Sequence, residues 1–223
     1  MEKRSLKTPK RVTLFCGHYG SGKTNLAVNY ALYLRARGLE VGIGDLDVVN
    51  PYFRTADSKK ELEEAGVRVI ALPYANSSVD LPSLPPEAYA LVEDRRRYAV
   101  IDVGGDDRGA YALGRYTPYI LEENDYENLC VVNFMRPLTR TAKEAYAVLR
   151  EIEAAGGVPF TAIVHNTNLG AETTPQTVMS AEKEALKLSE LSGLPVLFTS
   201  ADEKIANQIP GAFPLRLQRR PFE

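Results

Sequence analysis

The sequence has few cysteines and no long apolar run, and each shortage excludes a kind of site. Only two cysteines occur, Cys16 and Cys130, and both lie in apolar runs, where a free cysteine usually behaves as a small buried hydrophobe. No C-x-C or C-x-x-C pair is present. We therefore expect neither a disulfide nor a metal cluster held by thiolates.

Apolar runs of bilayer length are also missing, and the charged N-terminus is not followed by an apolar segment. These features predict a cytoplasmic protein without membrane contact. The formal net charge is -2 at pH 7, which gives no direct evidence for a nucleic-acid partner. Basic residues gather near both ends, Arg11 among them, and solvated tails are the simplest interpretation of these clusters.

At 223 residues, the chain can bury a sizeable core and is most simply one domain. Apolar runs alternate with helical patterns along its length. Strands are expected at 12–16, 40–45, 67–72, 98–103, within 125–134, at 160–164 and at 195–199, and helices at 23–37, 58–66, 86–96, 141–157 and 174–193. The alternation predicts an α/β fold with a doubly wound, mostly parallel sheet of about seven strands and helices on both faces.

The stretch 16–24, with the sequence CGHYGSGKT, carries the strongest chemical signal. It matches the phosphate-loop pattern G-x-x-x-x-G-K-[ST] and lies between a predicted strand and a predicted helix, as that pattern requires. The matching residues are Gly17, Gly22, Lys23 and Thr24. Lys23 would reach the β- and γ-phosphates, and the Thr24 hydroxyl would hold Mg²⁺. An ordinary glycine-rich turn is the alternative, but it does not explain why the motif and both flanks agree.

Backbone N–H groups of such a loop face the phosphates, and the following helix adds the positive end of its dipole. Gly20, Ser21 and Asn25 are therefore candidate nucleotide-binding residues alongside the motif positions. We expect residues 1–10 to form a flexible arm and residues 11–223 to form a single nucleotide-binding domain.

A second candidate segment follows the fourth predicted strand and reads Asp102-Val103-Gly104-Gly105. The carboxyl ends of parallel strands share one edge, so Asp102 would lie near the loop and orient the waters of Mg²⁺. Gly104 and Gly105 could present backbone N–H groups to a γ-phosphate and move when it leaves. Such a segment is typical of a switch.

Asp45 and Asp47 follow the second predicted strand at the same edge. Either carboxylate could coordinate Mg²⁺ through water, or it could polarise the attacking water as a general base. We favour Asp47 over Asp45 for these roles because it lies further beyond the strand end. The alternative is that both carboxylates only cap the loop.

Asn166 follows the sixth predicted strand, where its amide could read the edge of a base. A guanine reader of the form N-K-x-D would need an aspartate at position 169, and the sequence has Leu169. ATP is therefore expected in preference to GTP. His165 is most simply a strand-end histidine with satisfied hydrogen bonds, and we assign it no role.

Together these features resemble the MinD/ParA and CobQ/CobB group of P-loop ATPases, the class that includes the nitrogenase iron protein. The resemblance rests on the loop from Gly17 to Thr24, the Asp45/Asp47 pair, the segment Asp102 to Gly105, and Asn166, and it spans nearly all of the chain after residue 10. It implies bound Mg·ATP, with Asp47 as the water-activating residue, Asp102 as the acid on the Mg²⁺ side and Asn166 at the adenine. Members of the group often form a homodimer that encloses ATP.

The loop departs from the group in one respect. The dimeric ATPases usually have a second lysine after the first glycine (K-G-G-x-G-K-[ST]), and His18 and Tyr19 occupy the K-G positions here. Arg54, Arg108 or Arg115 could replace that lysine as an arginine finger, although each is more simply a surface arginine. The membrane-targeting helix that some members carry at the C-terminus is not visible in this sequence.

Two functions from different classes are compatible with these residues. In the first, ATP changes the shape of the segment from Asp102 to Arg115, an unknown protein partner reads that shape, and slow hydrolysis resets it. In the second, an enzyme of the CobQ/CobB or dethiobiotin-synthetase type uses ATP to activate a carboxylate on a small molecule. The irregular stretch from Pro73 to Pro86 would then hold the second substrate, or it is a plain surface loop. A third hypothesis is a scaffold that binds a nucleotide without hydrolysing it. The presence of the acidic residues argues against it.

Overall fold

The computed structural model describes residues 8–46, 58–71, 86–105 and 112–217. Within these ranges, eight strands form one sheet in which every pair of neighbours is parallel. In chain order they are β1 Val12–Cys16, β2 Val41–Asp45, β3 Arg68–Ala71, β4 Tyr98–Asp102, β5 Tyr126–Val132, β6 Ala162–His165, β7 Val196–Asp202 and β8 Phe213–Leu215. The order across the sheet is β3-β2-β4-β1-β5-β6-β7-β8, so β1 lies between β4 and β5.

Helices connect most of the strands, as right-handed crossovers in a parallel sheet require. The helices that lie wholly within the described ranges are α1 Lys23–Ala36, α2 Lys59–Glu64, α3 Pro86–Glu93, α4 Thr117–Glu123, α5 Ala142–Gly156, α6 Pro175–Ser180, α7 Glu182–Ser192 and α8 Glu203–Ala206, with a 3-10 turn at Gly170–Glu172. The longest, α5, begins at a capping box in which the Thr141 hydroxyl accepts from the Glu144 N–H and the Glu144 carboxylate accepts from the Thr141 N–H.

Two hydrophobic cores cover the two faces of the sheet, because successive strand residues point to opposite sides. Leu14 belongs to the core that includes Leu149 of α5 and Leu188 of α7. Its neighbour Phe15 belongs to the other core, with Leu26 of α1. The predicted doubly wound α/β architecture is therefore confirmed.

The sequence prediction differs from this fold in several elements. It contains seven strands and misses β8, which has only three residues and includes Pro214; proline cannot donate to a ladder, so its presence argues against a strand. The prediction also lacks α4 and the four-residue α8. The helix predicted over 174–193 is two helices, because the Ala181 N–H donates to the Val178 carbonyl at 3.2 Å in a tighter turn.

The interpretation of Arg11 as part of a solvated basic tail is wrong. Its side chain is buried and forms an ion pair with Glu123 of α4 through both carboxylate oxygens. The guanidinium also donates to the carbonyl oxygens of Leu91 at 3.2 Å, Val92 at 3.1 Å and Arg97 at 3.0 Å. Arg11 therefore ties the start of β1 to α4 and to the segment that leaves α3.

Candidate functional site

The loop between β1 and α1 depends on glycines at two close approaches. Gly17 has φ +149°, and a Cβ there would lie 2.3 Å from the Val131 carbonyl oxygen. Gly22 has φ +90°, and a Cβ there would lie 2.3 Å from Nδ2 of Asn166. Side chains are excluded at both positions by conformation and by space. The backbone is thus free to turn its N–H groups toward one anion.

Lys23 and Thr24 open α1 directly after the loop and are buried, with 5% and 9% of their surface exposed. The Lys23 ammonium donates to the His18 carbonyl at 3.3 Å, across the loop. Gly105, after β4, lies against the same ammonium, since a Cβ at Gly105 would be 2.9 Å from Nζ. The loop lysine and the predicted switch glycine are therefore brought together.

Asp102 lies at the end of β4 and is 1% exposed. The strand register pairs it with Phe15 of β1 and with Asp45 of β2, so the two carboxylates end neighbouring strands beside the loop. The main chain also links these strand ends, because the Leu46 N–H donates to the Asp102 carbonyl at 2.8 Å. Asp47, Arg54 and Arg108 lie outside the described residues.

Thr24 and Asp102 supply the hard oxygen donors that Mg²⁺ prefers. In the described ranges there is no group of three or more His, Cys, Asp or Glu residues that could hold a metal. Mg²⁺ in phosphate-transfer sites is typically bound by one or two protein oxygens, together with substrate phosphates and water. The donor set at this edge fits such an ion and does not fit a metal cage built by the protein alone.

The amide of Asn166, which is predicted from the sequence to read the edge of a base, is bonded within the protein. It is 4% exposed, its Nδ2 donates to the Ser21 carbonyl at 2.7 Å, and its Oδ1 accepts from the Ser200 hydroxyl at 2.7 Å. The side chain therefore links the phosphate loop to the end of β7. One N–H of the amide remains beyond these two bonds, since an NH₂ group has two donors.

A network of asparagines fixes the loops beside Asn166. Asn133, after β5, is fully buried; its Nδ2 donates to the Asn168 carbonyl at 3.0 Å, and its Oδ1 accepts from the Asn168 N–H at 3.2 Å. The Met135 N–H donates to the same Oδ1 at 3.0 Å. The turn after β5 and the loop after β6 therefore form one hydrogen-bonded unit.

An open cleft of about 650 Å³ runs along this edge of the sheet, within the size range of ligand pockets. The phosphate loop, the loop after β6 and the ends of β7 and β8 all line it. Lys23, Thr24, Asn25 and Asn166 all contribute to the wall. Arg115 is exposed and is not part of the lining.

Sequence reasoning missed Ser200 and Arg136 of this cleft. Arg136 follows β5 and its Nε donates to the Gly20 carbonyl at 3.2 Å, while Ser200 lies in β7 and holds Asn166. Their position in the sequence could have indicated them. Both come at or just after the carboxyl end of a parallel strand, where ligands of open α/β sheets bind.

The buried titratable groups behind the cleft are structural. His165 is 1% exposed and shares a hydrogen bond with the Thr167 hydroxyl at 2.8 Å, and burial lowers its pKa to about 4. Cys16 and Cys130 are free and buried on neighbouring strands. Burial raises the pKa of the Cys16 thiol and raises that of Cys130 to about 12. Both thiols stay protonated, as expected for small buried hydrophobes.

Known proteins with a related sequence or fold include a signal recognition particle protein and FtsY. The signal recognition particle protein of Mycobacterium leprae (strain TN) is 30% identical over 211 residues, a match that covers 89% of this chain and 36% of that protein. The chain thus spans about a third of the length of this curated relative. No family model matches the chain.

Solved structures of related architecture include the following two. The cell division protein FtsY of Thermotoga maritima has a TM-score of 0.62 and 18% identity, over 88% of this chain and 63% of that one. The signal recognition particle 54 kDa protein of Aeropyrum pernix K1, in complex with GDP, has a TM-score of 0.56 and 21% identity, over 89% and 43%.

The chain has the P-loop NTPase fold. The resemblance to the MinD/ParA and CobQ/CobB group holds at the level of this fold class, and that particular group is not confirmed. Across the described ranges, no helix has the length and apolar character needed to cross a membrane.

Proposed function

We propose that this protein is a Mg²⁺-dependent nucleoside triphosphatase that works as a nucleotide-controlled switch. The observation that carries the proposal is the packing of Gly105 against the loop, where a Cβ would lie 2.7 Å from the Tyr19 nitrogen and 2.9 Å from Nζ of Lys23. A γ-phosphate held by Lys23 would arrive at this contact. The segment after β4 would have to rearrange to accept it, and that rearrangement is the switch.

The proposed chemistry uses the residues gathered at the strand ends. The loop N–H groups and Lys23 hold the β- and γ-phosphates, and Thr24 and Asp102 hold the metal. Mg²⁺, when bound, neutralises charge on the phosphate oxygens. Asp47 orients or deprotonates a water whose oxygen bonds to the γ-phosphorus as the bond to the bridging oxygen breaks, and the diphosphate leaves with that oxygen.

We propose ATP as the nucleotide, although the GDP bound to the Aeropyrum protein suggests a guanine nucleotide. The support for ATP is position 169, where a leucine with 46% of its surface exposed replaces the carboxylate that would pair with guanine N1 and N2 protons. Competition between ATP and GTP for the parent protein tests this choice. We expect ATP to displace GTP at equal concentration, and tighter GTP binding would overturn the assignment.

The partner that reads the switch is unknown, and a second copy of this chain enclosing ATP is one candidate. No described residue and no comparison favours the carboxylate-activating alternative. Limited proteolysis with ADP and with a non-hydrolysable ATP analogue tests the switch. We expect the analogue to change cleavage within residues 102–120 and ADP to leave it near the ligand-free pattern. Identical cleavage in all three states would contradict the switch.

A further inference from the structure

Arg136 lies over the phosphate loop from the turn after β5. Its Nε donates to the Gly20 carbonyl at 3.2 Å. A Cβ on Gly20 would meet the Nε at 3.4 Å, the Cδ at 3.6 Å and the Cζ at 3.7 Å, so the end of the side chain packs directly against this glycine. Gly20 also has φ +75°, a conformation that favours glycine.

The turn that carries Arg136 is rigidly placed. The Arg136 N–H donates to the Asn133 carbonyl at 3.1 Å, and the Thr139 hydroxyl donates to the same oxygen at 2.8 Å. Asn133 is itself bonded to Asn168, in the loop after β6. The backbone of this turn is therefore fixed, and the guanidinium that it carries is anchored on the phosphate loop at Gly20 and lines the cleft.

Most of the hydrogen-bonding capacity of Arg136 is unused by the protein. A guanidinium has five N–H donors, and one is bonded to Gly20. Within the part of the chain that the structure describes, neither terminal NH₂ group donates to another residue. The side chain is exposed and lines the cleft, where Lys23 is the other lysine or arginine among the described lining residues.

The sheet order places Arg136 on the opposite side of the loop from the switch. Gly105 follows β4 and Arg136 follows β5, and these strands flank β1 on its two sides. Lys23 and Gly105 meet at the end where the terminal phosphate would lie. Asn166, tied to the loop at Ser21, is on the same side as Arg136. A nucleotide that puts its γ-phosphate at Lys23 would therefore run toward Arg136 with its α-phosphate and ribose.

We propose that Arg136 is a nucleotide-binding residue whose guanidinium, anchored on the Gly20 carbonyl, binds the α-phosphate side of the nucleotide whatever its base. This inference rests on the proposed nucleotide function and adds a contact that no loop motif encodes. The position of the lysine in an N-K-x-D reader is occupied by Thr167, which is 1% exposed and bonded to the Phe134 N–H and to His165. The cation on this side of the cleft thus comes from the β5 turn.

Arg136→Gln tests the contact, because glutamine keeps an N–H donor for Gly20 but removes the charge. Arg140→Gln is the matched control, since Arg140 is an exposed arginine of the same segment and is not part of the lining. The dissociation constants of ADP, ATP, GDP and GTP are measured by titration calorimetry at several salt concentrations, on variants whose ligand-free melting temperatures match the parent.

Arg136→Gln is expected to weaken the binding of ADP and of ATP by a similar factor. The factor is roughly 10- to 100-fold, as expected for the loss of a hydrogen bond to a charged group. The same factor should apply to the guanine nucleotides, and the affinity should depend less steeply on salt, because one charge contact is gone. Arg140→Gln should behave as the parent.

Three results would overturn the inference while leaving the proposed function standing. The first is parental nucleotide affinity in Arg136→Gln, and the second is a loss of affinity confined to the triphosphates. The third is a loss of affinity for all nucleotides with the parental salt dependence, which would show that Arg136 only supports the loop. If the parent itself binds no nucleotide, the proposed function and this inference fail together.

Discussion

At the scale of single residues, the conformation of the phosphate loop requires glycine at two positions that have no room for a Cβ, Gly17 and Gly22. Gly22 offers the sharper test. Gly22→Ala should abolish measurable nucleotide affinity, because the new Cβ would lie 2.3 Å from Nδ2 of Asn166 at φ +90°. Gly38→Ala is the control: its φ is +82°, but nothing lies within 4 Å of the added atom. Both variants carry a backbone strain on the order of 1–2 kcal/mol. Unfolding measurements should show a loss of stability in both variants, and a larger one in Gly22→Ala because of the close approach to Asn166. Calorimetric titration should show lost binding only in Gly22→Ala.

The proposed base is tested by Asp47→Asn. Asparagine keeps the size and much of the hydrogen bonding of aspartate but cannot accept a proton, so turnover should fall by roughly 10²–10⁴-fold while ATP still binds. Steady-state hydrolysis and calorimetry on the same preparation separate the two effects. A variant that hydrolyses ATP at the parental rate would move the water-activating role to another carboxylate, such as Asp45 or Asp106.

Some of these site residues could be predicted from the sequence and others could not, for a physical reason. Gly17, Gly22 and Lys23 follow a local pattern, so the motif predicts their neighbourhood without any tertiary information. The bonds of Asn166 to Ser21 and Ser200 join segments that are distant in sequence. No local pattern specifies such contacts, and the role of Asn166 as a link within the protein became visible only in the fold.

At the scale of secondary-structure elements, Arg11 links β1 to α4, and its removal should destabilise the domain. The Glu123 side chain is only 11% exposed, and Arg11→Ala leaves its carboxylate without an ion-pair partner. Breaking a buried pair in this way costs on the order of 3–5 kcal/mol. Urea unfolding followed by circular dichroism measures the loss.

The double variant Arg11→Met/Glu123→Gln is the control, because it removes both charges and restores part of the packing. We expect it to be more stable than Arg11→Ala. Equal stability of Arg11→Ala and the parent protein would show that this ion pair does not hold the elements together.

Elements with long, continuous patterns were predicted well, and short ones were not. The predicted strand at 12–16 and the observed β1 agree in full, and α5 begins at the predicted Thr141 capping box. β8 is held at the edge of the sheet by tertiary contacts: Asn29 of α1 donates to the Arg216 carbonyl at 2.9 Å and accepts from the Arg216 N–H at 2.8 Å. Its three residues have too little pattern of their own to predict a strand.

At the scale of the whole molecule, the buried His165 should make stability depend on pH. Its pKa is lowered from 6.5 to about 4 in the folded protein, so the unfolded chain binds more protons between these values. Stability should therefore fall as the pH drops from 6.5 toward 4, by roughly 3 kcal/mol from this group alone.

Comparing the parent with His165→Gln across this pH range isolates the contribution, because the other titrating groups are common to both proteins. We expect the free energy of unfolding to fall less steeply in the variant when it is measured by denaturant titration. The same slope in both proteins would show that His165 is protonated in the fold at its ordinary pKa.

The central claim is that the cleft binds a nucleotide through its phosphate loop, and titration of Mg·ATP by calorimetry tests it most directly. The parent should bind one ATP per chain. Lys23→Ala should lose tight binding, because a hydrogen bond from a charged group to the phosphates contributes on the order of 1.5–3 kcal/mol. Lys143→Ala, which removes an exposed lysine of α5, should bind as the parent does. ATP affinity that is unchanged in Lys23→Ala would contradict the claim.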